Sequence, residues 1–277
     1  MKEHNSSIRN GEPASRLSSV ANAMLLLKSF SETDSALGIG ALAARLGLAK
    51  STVHRLAGTL VQAGMLEQTK NGKYQLGITI FELGSLVRNK IDFYSEAKDA
   101  LRNLREKTGE SANLAILRGE SVIYLNSLES SSTIKVTAPL GKRVPAHACV
   151  EGRALLAFSE PNMLESVIRA GLAAPPPQAI IDLESLRAEL ALIRERGYAL
   201  GNEEATIGVR AIAAPFFGSD NDVVGAIGIA GPTTRLSRRN LRLFLPMLND
   251  SVEALSSRLG AHRVAATPAR SLRLVRS

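Results

Sequence analysis

No tryptophan occurs in the 277 residues, and aromatic side chains make up only 4% of the chain. Stacking platforms for unpaired bases or sugar rings are therefore hard to build. A single cysteine, Cys149, excludes an internal disulfide and suits a reducing compartment. No apolar run approaches the roughly 20 residues of a spanning helix, and Met1 to Ser19 is polar with no leader-like apolar segment, so a cytoplasmic chain with no membrane partner is expected. Glycine-rich phosphate loops are missing, so no nucleotide cofactor is expected. His4, His54, His147 and His262 are scattered without the carboxylate or cysteine spacing of a metal site. Net charge is +8, but its distribution matters more than its sum. From Arg235 onward there are nine basic and two acidic side chains, against six and three in residues 18–77. A basic end of this kind reads as a solvated tail, so charge alone does not locate a nucleic-acid site.

What the chain has instead is hydrophobic patterning, with 45% apolar residues and length enough for two domains. Between Ser18 and Leu76 the pattern gives three helices and a hairpin. Ser18 or Ser19 caps the first, which carries Ala23, Leu26, Leu27 and Phe30 on one face. The second carries Ala41, Leu42 and Leu46 and stops at Gly47; the third runs from Lys50 to about Ala63, before Gly64. At 100° per residue the third helix puts Val53, Leu56, Ala57, Leu60 and Val61 on one side. Lys50 begins it, and Ser51, Arg55, Gly58, Thr59 and Gln62 fall opposite, with Thr52 and His54 at the margins. Hydroxyls, an amide and an arginine suit phosphate oxygens and major-groove base edges. Met65–Gln68 and Tyr74–Leu76 flank an Asn71-Gly72 pair, a two-residue turn signal, with Lys70 and Lys73 placed to meet a phosphate backbone. These features define a winged helix-turn-helix.

The stretch IGALAARLGLAKSTVHRLAGTLVQAGMLEQTKNGKYQLG, Ile39 to Gly77, resembles the signature of the IclR family of regulators. So do GKRVPAHACVEGRALLAF (Gly141–Phe158), RGYALGNEEATIGVRAIAAPFF (Arg196–Phe217) and GAIGIAGP (Gly225–Pro232), in the family's order. Ala57-Gly58 departs from the bulkier residues usual there. The resemblance implies an α+β chain: a winged helix-turn-helix, a linker helix and a GAF-like effector-binding domain. It also implies double-stranded operator DNA as partner, a homodimer or homotetramer, and frequent action as a repressor. The expected divisions are a disordered arm (1–17), the DNA-binding domain (18–77), a linker helix region (78–108), the effector domain (109–260) and a basic flexible tail (261–277).

In the linker, Ile80, Leu83, Leu86, Val87, Phe93, Ala97, Leu101 and Leu104 recur at helical spacing and Gly109 ends the pattern. Such a helix serves either as a dimer seam or as a core element. Beyond it, strands are expected at Ala112–Leu117, Val122–Ser127, Thr133–Thr137, Ile212–Phe216 and Val223–Ala230. Helices are expected at Pro161–Ala170, Leu183–Arg196 and Leu241–Leu259, with a Pro-rich loop at 174–177, and the helices are expected to cover one sheet face.

The resemblance also carries over a pocket. Cys149, Val150 and Glu151 would lie in a loop over the effector, Thr133 and Val136 would supply apolar wall, and Gly201, Val209, Ala211, Gly228 and Ala230 would face them. Family members carry Ser or Asp at pocket positions where this chain has Gly201, Gly228 and Ala230, which implies a larger, less polar pocket for a bulkier carboxylate-bearing metabolite such as an aromatic or sugar acid. From the residues alone, Glu151 reads either as an effector contact or as a surface loop acid, and Arg210 either as a ligand clamp or as an ion pair with Glu203 or Glu204. No catalytic residue is expected. Two alternatives stay open: a constitutive DNA-binding dimer without effector, and a cysteine enzyme or redox sensor built on His147 and Cys149.

Overall fold

The computed structural model describes residues 15–261 except 32, 90, 139, 142, 173–181 and 205. The expected tail from residue 262, the Pro-rich loop, and the arm as far as residue 14 lie outside the described residues. The chain divides between Asp92 and Phe93 into two compact units.

The first unit holds helices α1 (Ser15–Leu27), α2 (Ile39–Leu46) and α3 (Lys50–Gln62), strands β1 (Leu66–Gln68) and β2 (Tyr74–Leu76), and helix α4 (Ile78–Asn89). α1 begins at Ser15, so Ser18 and Ser19 are helical residues and not caps. α2 ends because Gly47 adopts the left-handed conformation, φ 64°, which lets the chain turn sharply into α3. Leu26, Leu42, Ala43, Val53, Ala57, Leu60, Leu66 and Tyr74 close a core between the helices and the wing. Val61, expected on the packed face of α3, is exposed. Leu37 exchanges two backbone hydrogen bonds with Tyr74, both 2.8 Å, which ties the α1–α2 loop to the wing. The wing's turn corrects the two-residue expectation. Gly72 takes φ 73° and its N–H donates to Thr69 O, while Thr69 N–H donates to Lys73 O. Lys70-Asn71-Gly72 is thus a three-residue loop with glycine at the left-handed position.

The linker is two helices, not one: α4 stops at Asn89, and α5 (Tyr94–Thr108) starts the second unit. The apolar side chains of α4 are not core either, since Ile78, Phe81, Leu83, Leu86 and Val87 are all exposed.

The second unit is built on a six-stranded antiparallel sheet in the order β5-β4-β3-β8-β7-β6. Its strands are β3 (Ser111–Arg118), β4 (Ser121–Leu128), β5 (Arg143–Pro145), β6 (Ala199–Asn202), β7 (Val209–Phe217) and β8 (Val223–Pro232). Its remaining helices are α6 (Val150–Phe158), α7 (Pro161–Ala170), α8 (Leu183–Arg196) and α9 (Arg238–Arg258). Asp182 caps α8 by accepting from Ser185 N–H, and Ser237 caps α9 by accepting from Asn240 N–H. Residues 133–137, expected as a strand, form none, and α6 occupies a stretch that was expected as a loop.

Both sheet faces are covered, where one was expected. Leu114, Ile212, Phe216, Ile227 and Ile229 pack with α5 and α9 residues such as Leu101, Leu104, Leu248 and Leu255. On the other face Ala115, Tyr124, Ala213 and Ala226 meet Leu155, Leu156, Leu186 and Leu190 of α6 and α8. This two-sided burial explains why β3, β7 and β8 read as near-continuous apolar runs. No helix among the described residues is long and apolar enough to cross a membrane.

Candidate functional sites: a DNA-reading helix and a lined cavity

Apart from Val61, α3 separates its side chains as its periodicity requires. Val53, Ala57 and Leu60 are buried, while Lys50, Ser51, Thr52, His54, Arg55, Thr59 and Gln62 are all exposed. The Thr59 hydroxyl donates back to Arg55 O at 3.1 Å, which leaves its oxygen lone pairs outward. Lys70 and Lys73 are exposed on the wing, and among the described residues no acidic side chain pairs with them or with Arg55. The face is free to meet a polyanion.

The second unit encloses a cavity of about 270 Å³ between the sheet and the first turn of α6. Of the residues expected to form it, Val136, Cys149, Val150, Glu151, Gly201, Val209, Ala211 and Ala230 line it. Thr133 does not; it is exposed in the irregular segment before Val136. Gly228 lies beneath the lining, because Glu151 covers it: a Cβ on Gly228 would meet Glu151 Oε1 at 2.2 Å. The space at Gly201 is likewise filled by Val150, whose Cγ1 would lie 2.7 Å from an added Cβ. Small residues at these positions therefore accommodate α6 and do not enlarge the cavity. Sequence reasoning missed Asn113, Tyr124, Thr137, Ala138, Val144, Ala148, Glu204 and Thr206. Asn113 and Tyr124 sit on adjacent strands β3 and β4, and only the strand pairing reveals that they share a face with Gly228.

Glu151 is not a surface acid. It is 3% exposed, and Tyr124 Oη donates to its Oε2 at 2.9 Å. Burial drives its carboxyl above the usual range, opposed by its own backbone N–H, Tyr124, Asn113 and Arg153. The same burial, with Glu151 adding to it, raises the Tyr124 phenol. Arg153 is 1% exposed and pairs with Glu204 Oε2 at 2.5 Å. It also donates to His147 O and Leu200 O, both at 3.4 Å. Arg210 forms neither the clamp nor the expected ion pair: it donates to Asn202 Oδ1 at 2.8 and 2.6 Å and to Leu236 O at 2.5 Å. Asn202 is its cross-strand partner, which explains the choice.

Cys149 is the N-cap residue of α6, following a 3₁₀ turn at Ala146–Ala148. Burial and the nearby Glu151 push its thiol up to about 12. A thiol so protonated is a poor nucleophile and a poor redox sensor. No group of three or more potential metal ligands exists among the described residues.

A small winged-helix unit with an exposed polar reading helix, and a second unit with a lined cavity, define a two-domain DNA-binding regulator. The comparisons make the class specific. Residues 19–70 match the IclR helix-turn-helix domain, and residues 86–257 match the bacterial transcriptional regulator IclR C-terminal domain. The chain is 37% identical over 225 residues to the HTH-type transcriptional regulator BhcR of Paracoccus denitrificans, covering 80% of this chain and 81% of that one. It is 29% identical over 237 residues to the HTH-type transcriptional repressor AllR of Escherichia coli, covering 85% and 88%. Among solved structures, an IclR homolog from Microbacterium hydrocarbonoxydans complexed with 4-hydroxybenzoate superposes with a TM-score of 0.77 at 25% identity, covering 87% and 98%. The chain belongs to the IclR family of transcriptional regulators.

Proposed function

We propose that this regulator is a cytoplasmic homo-oligomer that represses transcription and lets go of its operator when a small organic acid fills the cavity of the second unit. The observation that carries the proposal is α3, where every polar residue assigned to DNA is exposed and the buried residues are the apolar ones. Arg55 and Gln62 are the side chains suited to base edges, and Lys50, Ser51, Thr52, His54, Thr59, Lys70 and Lys73 are suited to phosphates and flanking edges. The name of AllR supports repression as the sign of control, and the 4-hydroxybenzoate complex of the Microbacterium homolog supports an organic-acid effector.

A second copy of the chain fits the exposed apolar residues of the first unit. Val20, Met24 and Leu25 of α1, with Phe81, Leu86 and Val87 of α4, are each between 49% and 64% exposed. A soluble monomer does not ordinarily leave so many large apolar side chains in water. The effector's carboxylate fits the start of α6, where the helix dipole and the Val150 N–H attract an anion. Cavity residues Val136, Cys149, Val150, Glu151, Gly201, Val209, Ala211 and Ala230 would surround it, while Gly228 sets the position of Glu151 and Thr133 makes no contact. The high thiol pKa of Cys149 supports a binding protein over a cysteine enzyme.

The test is a titration of the protein–operator complex with a panel of organic acids, followed by fluorescence anisotropy of labelled duplex. Release of the duplex by one acid, with affinity falling about 5–150-fold as for an ordinary coupling of 1–3 kcal/mol, supports the reading. A panel that occupies the cavity and leaves operator affinity unchanged sinks effector control.

A further inference from the structure

Glu151 is a buried acid with no ion-pair partner among the described residues. Arg153, whose charge reaches it, is engaged by Glu204. Glu151 instead accepts from Tyr124 Oη, and Asn113 and its own backbone N–H supply two further donors. Asn113 is oriented for this, because its Oδ1 accepts from Ser127 Oγ at 2.8 Å, which turns its NH₂ toward Glu151. A carboxylate has about four acceptor positions. Three protein donors leave one, and Glu151 lines the cavity.

The rest of the lining has the same bias. Thr137 already gives its proton to Glu129, and Glu204 is the only other carboxyl group among the described lining residues. Among the described lining residues there is no lysine, arginine or histidine. Among the described lining residues, the donors that remain are the Val150 N–H that opens α6 and the Thr206 hydroxyl, enough for one anionic group. The complement of this surface is a molecule with a single carboxylate at one point and a hydroxyl at another. A second carboxylate would meet acceptors and no cation. The cavity of about 270 Å³ limits it to a small metabolite.

We infer that Glu151 is the specificity-determining residue of the cavity and selects a monocarboxylic hydroxy acid, whose hydroxyl donates to the Glu151 carboxyl group. The inference rests on the effector site proposed above and deepens it. Tyr124, Asn113 and Gly228 act as positioning residues: two hold the carboxyl, and the third gives it room.

The experiment is isothermal titration calorimetry of the full chain with matched acids: 4-hydroxybenzoate against benzoate, gluconate against hexanoate, and adipate as the dicarboxylate. At least one hydroxylated acid is expected to bind ten-fold or more tightly than its partner, and adipate weakly. Glu151→Gln, which keeps an acceptor oxygen, should retain most of the preference, and Glu151→Met should remove it. The wild-type pairs carry the test by themselves should Glu151→Met fail to fold. Equal affinity within both pairs, preference for adipate, an undiminished preference in a folded Glu151→Met variant, or no binding by either hydroxylated acid would overturn the inference. Failure of the broader reading looks different, because a hydroxy acid would then bind selectively without altering operator affinity.

Discussion

Gly228→Ala places a methyl group where Glu151 now lies, and the cost follows from the geometry. The new Cβ would sit 2.2 Å from Oε1, 2.9 Å from Cδ and 3.1 Å from Cγ of Glu151. Ordinary contact begins near 3.5 Å, so the carboxyl must retreat by more than about 1 Å. That retreat breaks the 2.9 Å bond from Tyr124, whose side chain is 7% exposed. Forced repacking costs about 1–3 kcal/mol, and an unsatisfied buried hydroxyl about 1–3 kcal/mol. Because the cavity gives the carboxyl somewhere to go, about 2 kcal/mol is expected in sum. In a unit of this size that lowers the melting temperature by roughly 4–8 °C. With no tryptophan to report unfolding, differential scanning calorimetry of the full chain is the assay, read at the transition of the second unit. A Glu151→Ala background removes the three atoms nearest the new methyl, so there Gly228→Ala should be neutral within about 0.5 kcal/mol. An equal shift in both backgrounds would refute the placement of Glu151 over Gly228.

Arg55→Ala should weaken binding to a preferred duplex more than to unrelated duplexes, whereas Lys73→Ala should weaken both alike and reduce the salt slope by about 1, as measured by anisotropy across salt concentrations. Burial raises the Glu151 carboxyl above its ordinary value near 4.5, so the folded chain retains a proton that the unfolded chain gives up. The contribution of that group is fully present below the unfolded value and is lost as pH rises through the folded value. The second unit of Glu151→Gln should therefore lose less stability than the wild type across that window in a calorimetric pH series. Cys149, buried and raised to about 12, should resist iodoacetamide in the native chain at pH 8 and react once urea unfolds it; rapid native labelling would contradict the burial.

Much of this was legible in the sequence where the determinants are local. The 3.6-residue period of α3 fixed which side chains face out, and Gly47 marked the turn before it. The bounds of α7 and α8 follow from Pro161 at the start of one and Asp182 capping the other. What stayed hidden depends on contacts distant along the chain. Glu151 stayed open between an effector contact and a loop acid because its partners, Tyr124 and Gly228, lie 27 residues before it and far beyond it, joined only by the sheet. Gly201 and Gly228 suggested an enlarged pocket because a sequence shows the missing side chain and not the neighbour that fills its place. Arg210 beside Glu203 and Glu204 suggested an ion pair, yet strand register aligns it with Asn202 and leaves Glu204 to Arg153. The strand expected at 133–137 shows the opposite failure: β-branched residues fit a strand, but this stretch pairs with none of the sheet. Lys135 instead pairs with Glu129, and Arg235 donates to Ile134 O at 2.9 Å.

The most direct test of the account is selection of a random duplex pool by the purified full chain at moderate salt, followed by sequencing of the retained duplexes. The account predicts enrichment of one near-palindromic site whose half-sites lie about one helical turn, or a multiple of it, apart, and loss of that enrichment in Arg55→Ala. A folded protein that retains duplexes without enriching any sequence, or an Arg55→Ala variant that enriches the same site as strongly, would contradict the assignment of α3 as the reading helix.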